Sequence, residues 1–436
     1  MNRAVVLFTR DLRIHDHPAL SAAVEIASEV VPLFVLDDTL WHRHRSPPRR
    51  AFLVGALADL RHALRERGGD LVLRRGHPVE QTLRVAHRAA ASVVFVGADA
   101  STYAQRRQER LASACRRERI ELRVENTLAA VPAGELVPAD RDHYRVFTPY
   151  WRRWRDQPLP ALLDPPRRVS LPLGIDPGDL PSSSSGLRGG ERAARRRLDA
   201  WLRDGLDNYE TARNELATDG TSRLSPYLHF GCVSAGEVVT RARTKGALAE
   251  PFVRQLCWRD FYLQLLAANP HTAIRDLHDR DREWIEDEEA LVAWTEGRTG
   301  FPIVDAAMRQ LRTEGWMHNR GRLLVASFLT KTLGIDWRQG AKVFLELLVD
   351  GDAANNAGNW QWMAGTGVDS RPNRVFNPVR QAKRLDPQGD YVRTHVPELG
   401  ELEGSTIHEP WRAPLAARAP EYPERIVDLE HRAARA

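Results

Sequence analysis

The segment AVVLFTRDLRIHDHPALSAAVEIASEVVPLFVL, residues 4–36, contains the pattern that decides the fold of the first third of the chain. Short apolar runs at 4–8 and 30–36 predict two buried strands, and the apolar spacing within 18–28 predicts a helix between them. Strand, helix and strand in this order form a unit in which the two strands run parallel and the helix packs on the sheet.

The same alternation continues as far as residue 125. Further strands are predicted at 71–73, 92–97 and 121–125, and further helices at 50–67, 79–90 and 103–117. We therefore predict an α/β domain over residues 1–130, with a Rossmann-like parallel sheet covered on both faces. The chain has neither a GxGxxG motif nor a Walker motif, so dinucleotide binding of the usual Rossmann kind is not indicated.

Residues 131–195 have a different composition, with many Pro residues and the run PSSSSGLRGG at 181–190. We predict an interdomain linker in which the 181–190 stretch is flexible. From 196 to 436 apolar residues recur at spacings of three and four, which predicts an all-α domain. Eleven of the twelve Trp residues follow residue 150, and the filling of a helical core does not require so many.

Composition narrows the classes of function. The net charge of +5 and the pI near 9.3 are compatible with nucleic-acid binding but do not demonstrate it. No apolar run reaches about eighteen residues and the N-terminus lacks a signal-peptide layout, so we expect a cytoplasmic protein without a membrane span. The scattered Cys115, Cys232 and Cys257 favour a reducing compartment and argue against disulfides or a zinc site.

Two segments carry side chains suited to contacts with a base or a phosphate. In QLCWRDFY (255–262), Gln255 and Trp258 are three residues apart, so an amide and a flat ring share one helix face. An amide can hydrogen-bond a base edge while a flat ring stacks on the base, so the pair suits base recognition. The alternative is an ordinary buried Trp beside an exposed Gln. In GWMHNRGR (315–322), positive side chains crowd the start of a helix. Because positive charge at a helix start opposes the helix dipole, these side chains favour a nearby phosphate or carboxylate. The acids of DGD (350–352) are candidate carboxylates. The alternative is a helix start that is simply solvated.

Two other segments leave the same choice between ligand contacts and ordinary structure. In TSRLSPYLHFG (221–231), three hydroxyl side chains can bond phosphate oxygens or cap a helix. In DGDAANNAGNWQW (350–362), Trp360 and Trp362 are two residues apart, so on a helix their side chains point about 200° away from each other. We predict that these two rings serve different surfaces.

Together these segments resemble the photolyase/cryptochrome family, and most closely the class I photolyases that repair cyclobutane pyrimidine dimers. The resemblance extends over nearly the whole chain and includes VVLFTRDLRIHDHPAL (5–20). It is strongest over 208–381, in NYETAR, TSRLSPYL, LCWRDFY, WTEGRTGFPIVDAAMRQLRTEGWMHNRGR, SFLTKTLGIDWRQG, DGDAANNAGNWQW and RVFNP.

The resemblance implies that FAD, reduced when active, binds in the helical domain, while the α/β domain is the family's antenna domain. Arg322 and Asp350 match an ion pair beside the flavin ring, and Asn356 matches the residue that faces the flavin atom N5. The positions that match flavin-contacting residues are Tyr209, Thr221, Ser222, Arg223, Leu224, Ser225, Arg322, Asp350, Gly351, Asp352 and Asn356. The positions that match a chain of tryptophans carrying electrons from the surface to the flavin are Trp284, Trp337 and Trp360.

On the substrate side, the resemblance implies that a flipped-out dimer in UV-damaged DNA is the ligand. Trp258 and Trp362 match the two aromatic residues that enclose the dimer. The other implied contacts with lesion or DNA are Arg213, Gln255, Asn319, Arg320, Arg374 and Gln381. We expect a monomer and no metal.

Three positions depart from the patterns of close relatives. Gln255 stands where class I enzymes have Glu, and Leu323 stands where Met is common. Gln255 resembles the (6-4) photolyase branch, but MHN at 317–319 lacks the paired histidines of that branch. Gln255 keeps hydrogen-bonding groups without a charge, so we expect dimer repair with altered efficiency. Thr102 replaces the folate-contacting Glu of some relatives, which disfavours a methenyltetrahydrofolate antenna without deciding its identity, and a deazaflavin antenna or none remains open.

We therefore predict a light-driven lyase that transfers an electron from reduced FAD to a cyclobutane pyrimidine dimer. The alternatives are a cryptochrome-type blue-light receptor without repair activity, a (6-4) photolyase, and a Trp-rich DNA-binding module without flavin. The lack of a long tail after HVPEL (395–399) and the presence of Trp258 and Trp362 favour repair over signalling.

Overall fold

The computed structural model describes residues 2–43, 46–182, 188–218, 220–368, 371–414 and 419–429. The chain forms two compact units, and neither is continuous in sequence. The first unit consists of residues 1–207 and 222–270, and the second unit consists of 208–221 and 271–436. The region predicted as a linker, 131–195, belongs to the first unit, and part of its predicted flexible stretch, 183–187, lies outside the described residues.

The first unit contains a five-stranded sheet in which all pairings are parallel. The strands are β1 (Arg3–Phe8), β2 (Glu29–Leu36), β3 (Val72–Arg75), β4 (Val93–Gly97) and β5 (Glu121–Glu125), in the spatial order β3-β2-β1-β4-β5. Five of the six residues of β1 are buried, as expected for a central strand covered on both faces. The predicted α/β fold of this region is confirmed.

Pro32 lies inside β2, although proline is usually excluded from central strands because it lacks a backbone N–H. The register explains its presence. Pro32 is opposite Val6 of β1, but the pairing of β2 with β3 begins one residue later, at Leu33. Pro32 therefore lies outside the β2–β3 ladder.

Helices account for most of the remaining regular structure. Those of the first unit are α1 (Pro18–Ile26), α2 (Asp38–Arg43), α3 (Pro47–Arg65), α4 (Pro78–Ala89), α5 (Thr102–Arg117), α6 (Phe147–Trp154), α7 (Glu191–Ala200), α9 (Ser225–His229), α10 (Ala235–Arg243) and α11 (Glu250–Ala268). Those of the second unit are α8 (Tyr209–Ala212), α12 (Glu288–Glu296), α13 (Pro302–Glu314), α14 (Asn319–Ser327), α15 (Trp337–Leu347), α16 (Ala353–Ala364), α17 (Pro378–Leu385) and α18 (Asp390–His395). The helical prediction for the C-terminal region is therefore confirmed.

Local sequence explains where the helices of the second unit begin and end. Gly315 ends α13 in the left-handed conformation, with φ +66°, which suits a residue without Cβ. His318 caps α14, since its Nδ1 accepts the backbone N–H of Arg320 at 3.1 Å. Asp336 and Asp352 cap α15 and α16 in the same manner. These caps fix the starts of the helices that carry the candidate site.

Candidate functional site

Arg322 of α14 and Asp350, in the loop before α16, form an ion pair in the second unit. Arg322 Nη2 lies 2.8 Å from Asp350 Oδ2, and Arg322 Nε donates to the carbonyl oxygen of Met317 at 2.8 Å. The Asp350 side chain is 3% exposed, and in the described chain its Oδ1 has no hydrogen-bond partner. Because a buried carboxylate oxygen without a donor is unfavourable, a ligand N–H is expected there.

A cavity of about 90 Å³ lies beside this ion pair. It brings together the predicted residues Asn319, Arg322, Asp350, Gly351, Asp352, Asn356 and Trp360, and also contains Leu323, Ala326, Phe344, Leu348, Asn355, Asn359 and Met363. Complete small-molecule sites usually measure about 300–1,000 Å³. The cavity therefore accommodates only part of a ligand as large as a dinucleotide.

The amide groups of α16 reach the cavity because they recur at spacings of three and four residues. Asp352 Oδ1 accepts both the backbone N–H and the Nδ2 of Asn355 at 2.8 Å. Asn356 Nδ2 donates to the carbonyl oxygen of Ala341 at 2.9 Å, which fixes the amide and leaves its Oδ1 for a ligand. Asn355 and Asn359 were not predicted, although their helical spacing from Asp352 places them on this face.

These groups fit the isoalloxazine ring of FAD, which is flat and carries both carbonyl and N–H groups. The Arg322 guanidinium supplies donors for carbonyl oxygens, and the unpartnered Asp350 Oδ1 supplies an acceptor for an N–H. The apolar side chains of Phe344 and Leu348 line the same cavity and suit the flat faces of the ring.

Trp360 adjoins the cavity with a ring that is 2% exposed. The Trp360 ring meets Phe344 edge-on, with centroids 5.0 Å apart, and Trp294 at 6.0 Å. Its Nε1 has no hydrogen-bond partner in the described chain. Gly340 permits the close approach of α15, because a Cβ at this position would lie 2.1 Å from Trp360 Cη2.

Trp337 and Trp284, the other predicted members of the tryptophan chain, pack into the same hydrophobic core as Trp360. Trp337 is 0% exposed and its Nε1 donates to Asp276 Oδ1 at 2.7 Å, whereas Trp284 is only half-buried. The ring contacts found for Trp360 are those with Trp294 and Phe344, not with Trp337. Asp276 was not predicted, because one acid in an Asp-rich segment has no distinguishing pattern.

Tyr209 and three arginines form a positively charged cluster in the second unit. Arg213 Cζ lies 5.6 Å from the centroid of the Tyr209 ring, and Arg320 Nη2 donates to Asn214 Oδ1 at 2.6 Å. Burial lowers the pKa of Arg320, and the charges of Arg213 and Arg384 lower it further. Gathered guanidinium groups favour an anion such as phosphate.

The predicted phosphate-contacting segment 221–225 is divided between the units, with Thr221 in the second and the remaining residues in the first. The carbonyl oxygen of Ser222 accepts from Arg197 Nε at 2.8 Å, and its Oγ accepts from the backbone N–H of Leu224 at 3.4 Å. Arg223 has φ +48°, which is uncommon for a residue other than glycine. Ser225 begins α9. The ligand contacts of this segment stay predictions.

Gln255 and Trp258 of α11 are both half-buried, as expected for two residues on one helix face. Gln255 Nε2 donates to the carbonyl oxygen of Pro251 at 3.3 Å. Phe147 of α6 stacks on the Trp258 ring, with centroids 3.6 Å apart and ring planes 5° from parallel. Phe147 was not predicted, because no local spacing relates it to Trp258.

Trp362 of α16 is half-buried, whereas Trp360 on the same helix is buried, so the two rings do serve different surroundings. Arg374 Cζ lies 5.6 Å from the Trp362 ring centroid. Gln381 Oε1 accepts a hydrogen bond from Arg384 Nη2 at 2.7 Å.

Two further properties concern metals and membranes. Among the described residues, no group of three or more His, Cys, Asp or Glu side chains is placed to hold a metal ion. In the same part of the chain, no helix has the length and apolar character needed to cross a bilayer.

Comparison with known proteins relates these features to one family. The family model for DNA photolyase matches residues 4–167, and the model for the FAD binding domain of DNA photolyase matches residues 252–436. A deoxyribodipyrimidine photo-lyase of Streptomyces griseus is 52% identical to the chain over 448 residues, covering 100% of this chain and 98% of that protein.

Two other relatives show the breadth of the similarity. A cryptochrome DASH of Natronomonas pharaonis is 36% identical over 473 residues, covering 99% of each protein. The crystal structure of a bacterial class III photolyase from Agrobacterium tumefaciens matches with a TM-score of 0.91 at 33% identity, covering 100% of this chain and 96% of that one.

Proposed function

The chain belongs to the DNA photolyase family, and from this premise we propose that it splits cyclobutane pyrimidine dimers in UV-damaged DNA under light. FAD is its cofactor, since residues 252–436 match the FAD binding domain of the family. The observation that carries the proposal is the cavity at which the Arg322–Asp350 ion pair, Asn356 and Trp360 meet.

When bound and reduced, FAD would supply a light-driven electron for splitting the dimer, and the electron would return to the flavin afterwards. The residues around the cavity bind and orient the ring. Arg322 places a positive charge there, which favours a negatively charged reduced ring. Asp350 offers its unpartnered oxygen to an N–H, and the neutral amide of Asn356 provides a hydrogen bond without a titratable proton.

We assign Trp284, Trp337 and Trp360 to the supply of electrons for reducing the flavin. Burial keeps Trp360 and Trp337 away from water, so a charge on either ring is not rapidly quenched by solvent. The half-buried Trp284 gives an external reductant access. An indole ring can be oxidised transiently, so a series of such rings permits electron hopping.

For the lesion, we assign Trp258 and Trp362 as stacking platforms, since both rings are half-buried and so keep accessible surface. We assign Arg213, Arg320 and Arg374 to DNA, where guanidinium groups bind backbone phosphates. We also assign Asn319 and Gln381 to contacts with the lesion or the DNA.

Gln255 hydrogen-bonds the lesion in this proposal. One Nε2 hydrogen is directed to the carbonyl oxygen of Pro251, so Oε1 can accept an N–H from a base and the second Nε2 hydrogen can donate to a base carbonyl oxygen. Because Gln brings no charge, it stabilises a negatively charged dimer through hydrogen bonding alone, which lowers efficiency without abolishing repair.

The deciding experiment uses the FAD-loaded, chemically reduced protein and an oligonucleotide with one defined thymine dimer. We expect light-dependent restoration of thymines and none in the dark. Gln255→Glu should change the yield per absorbed photon. If the reduced holoprotein restores no thymines under light, the proposed activity is wrong.

A cryptochrome-type receptor is the second candidate, because one full-length relative is a cryptochrome DASH. A receptor would bind FAD and photoreduce but restore neither lesion, and an oligonucleotide with a (6-4) lesion, run in parallel, tests the other repair activity. The FAD binding domain argues against a flavin-free DNA-binding module. A monomeric state and an antenna chromophore in the first unit, where Thr102 begins α5, stay predictions.

A further inference from the structure

Helix α6 is joined to α11 at both of its ends within the first unit. At its start, Phe147 stacks on Trp258 with ring centroids 3.6 Å apart and planes 5° from parallel. At its end, Trp154 Nε1 donates to the buried Asp260 Oδ2 at 3.1 Å. These contacts hold one particular ring, Phe147, flat against the side chain assigned to the lesion.

We propose that Phe147 is a positioning residue for Trp258, which sets the plane of the indole and leaves its opposite face for a flipped-out pyrimidine. The inference rests on the proposed function, because it takes Trp258 as a lesion-binding platform. Phe147 itself is 6% exposed, so it acts on the lesion only through Trp258.

A second ring restrains the indole from a different direction. Phe261, one turn along α11, meets Trp258 edge-on at 5.6 Å with ring planes 90° apart, and meets Phe147 edge-on at 5.7 Å and 86°. Phe261 is 0% exposed and so has little freedom to move. Rotation of Trp258 about its side-chain bonds would break the stack with Phe147 and disturb the edge contact with Phe261.

The Phe147 ring is also held by a charge. Arg254, one turn before Trp258 on α11, has its Cζ 5.4 Å from the Phe147 centroid, within the range of a cation–π contact. Arg254 is exposed and approaches Trp151 of α6 as well, at 5.9 Å. Phe147 is therefore held by three side chains of α11, those of Trp258, Phe261 and Arg254.

The consequence for binding is preorganisation. A platform whose plane is already fixed loses little rotational freedom when a base stacks on it, whereas a mobile indole must be ordered at the moment of binding. Loss of the Phe147 ring should therefore weaken binding of the dimer by about tenfold, as expected for releasing one large side chain.

The test measures the Kd of the FAD-loaded protein, in the dark, for an oligonucleotide with one thymine dimer. Phe147→Leu keeps a somewhat smaller apolar side chain but removes the flat ring, and should raise this Kd about tenfold. Phe147→Tyr keeps the ring and should stay within about threefold of the unaltered protein. In the Trp258→Ala background, Phe147→Leu should cause no additional loss, because the ring that it positions is absent.

Tyr150→Leu is the matched control. Tyr150 is a buried ring on the same helix that contacts Phe261 at 5.6 Å, so its loss perturbs α6 while the Phe147–Trp258 stack stays in place. This variant should lower the melting temperature while leaving the Kd within about threefold, which separates positioning from general damage.

Two results overturn the inference and leave the proposed function intact. One is an unchanged Kd for the Phe147→Leu variant when the Trp258→Ala variant has a raised Kd. The other is an equal rise in Kd from Phe147→Leu in the unaltered protein and in the Trp258→Ala variant, which would indicate only a folding defect. A normal Kd for Trp258→Ala itself would instead show that the proposed lesion contact, and with it the role of Phe147, is wrong.

Discussion

The indole nitrogen of Trp337 donates a hydrogen bond to Asp276 Oδ1 at 2.7 Å, so a carboxylate lies beside the middle tryptophan of the proposed electron chain. Arg338 Nη2 bonds the same oxygen at 2.8 Å, and Arg338 Cζ lies 4.9 Å from the Trp337 ring centroid. A ring that loses an electron becomes positive. The carboxylate favours that change and the guanidinium opposes it.

Asp276→Asn should therefore slow photoreduction of oxidised FAD. The Asn oxygen can still accept the indole N–H, but the negative charge is lost. Two unit charges about 4 Å apart interact by about 4 kcal/mol near a protein surface, and Arg338 cancels part of this. We expect about a tenfold slower loss of flavin absorbance under blue light with a thiol reductant, equivalent to about 1.4 kcal/mol.

Arg338→Gln is the opposite-charge control, and it should speed photoreduction or leave it unchanged. If both variants slow the reaction equally, the effect is one of packing and the charge argument fails. Repair by protein reduced beforehand should not change in either variant.

Trp360→Phe should block photoreduction but spare repair. Phenylalanine fills most of the space of the indole between Phe344 and Trp294, but it is much harder to oxidise. Photoreduction and dimer repair are measured on one preparation, the second after chemical reduction of the flavin. Loss of both activities would show that Trp360 is needed for binding the flavin and not chiefly for electron supply.

Trp362→Ala should show the reverse pattern. Its half-buried ring belongs to the surface assigned to the lesion, so the variant should photoreduce normally and bind the dimer about tenfold more weakly. The dark Kd for the dimer oligonucleotide checks the second statement. A normal Kd would remove Trp362 from the proposed lesion contacts.

Gly340→Ala should destabilise the protein, although alanine is the better helix former. The new Cβ would lie 2.1 Å from Trp360 Cη2 and 2.6 Å from Leu329 Cδ2, so the indole must move. Overpacking of this kind costs about 1–3 kcal/mol, more than the gain of about 1 kcal/mol from helix propensity.

The matched control is Gly236→Ala in α10, where a Cβ would meet no atom closer than 3.6 Å. Urea unfolding should show a loss of stability for the first variant and none for the second. Equal stability of the two variants would mean that the Trp360 pocket can expand without strain.

Asp260→Asn should alter the pH dependence of stability. Burial raises the pKa of Asp260 from 3.8 to about 6, although the charge of Arg259 and hydrogen bonds from Val131 and Trp154 act in the opposite direction. Since the folded state prefers the protonated carboxyl, this contribution to stability is fully present below pH 4 and is lost as the pH rises through 6.

Asparagine does not titrate in this range. Between pH 4 and pH 8, the stability of Asp260→Asn relative to the unaltered protein should therefore rise by about 3 kcal/mol, as two pKa units imply. Urea unfolding of both proteins at the two pH values measures the difference. A difference that stays constant would show that Asp260 is ionised in the fold without penalty.

The strands of the sheet were predictable because strands buried on both faces are continuous apolar runs. In β1 and β2 nearly every residue is apolar. The helices α3 to α5 were located to within a few residues by their apolar spacing. Local sequence was sufficient wherever neighbouring residues decide the structure.

Contacts between distant residues were a different matter. The charges at the start of α14 made the acids of 350–352 candidate partners, but only the family resemblance paired Arg322 with Asp350, because 28 residues separate them and no spacing rule joins them. The stack of Phe147 on Trp258 and the bond between Asp276 and Trp337 depend on tertiary packing, which local patterns do not encode. The prediction of one helical domain over 196–436 also did not foresee that 196–207 and 222–270 belong to the first unit, for the same reason.

The discontinuity of the first unit also affects its synthesis on the ribosome. The backbone N–H of Val131 bonds to Asp260, which is made 129 residues later. At about 5–20 residues per second, the finished sheet waits on the order of ten seconds for α11 to emerge. During that interval α6 lacks its contacts with Trp258 and Phe261 of α11, so its apolar side is open to chaperones. A nascent chain stalled before residue 250 should thus be far more sensitive to protease at 126–154 than one stalled beyond residue 300.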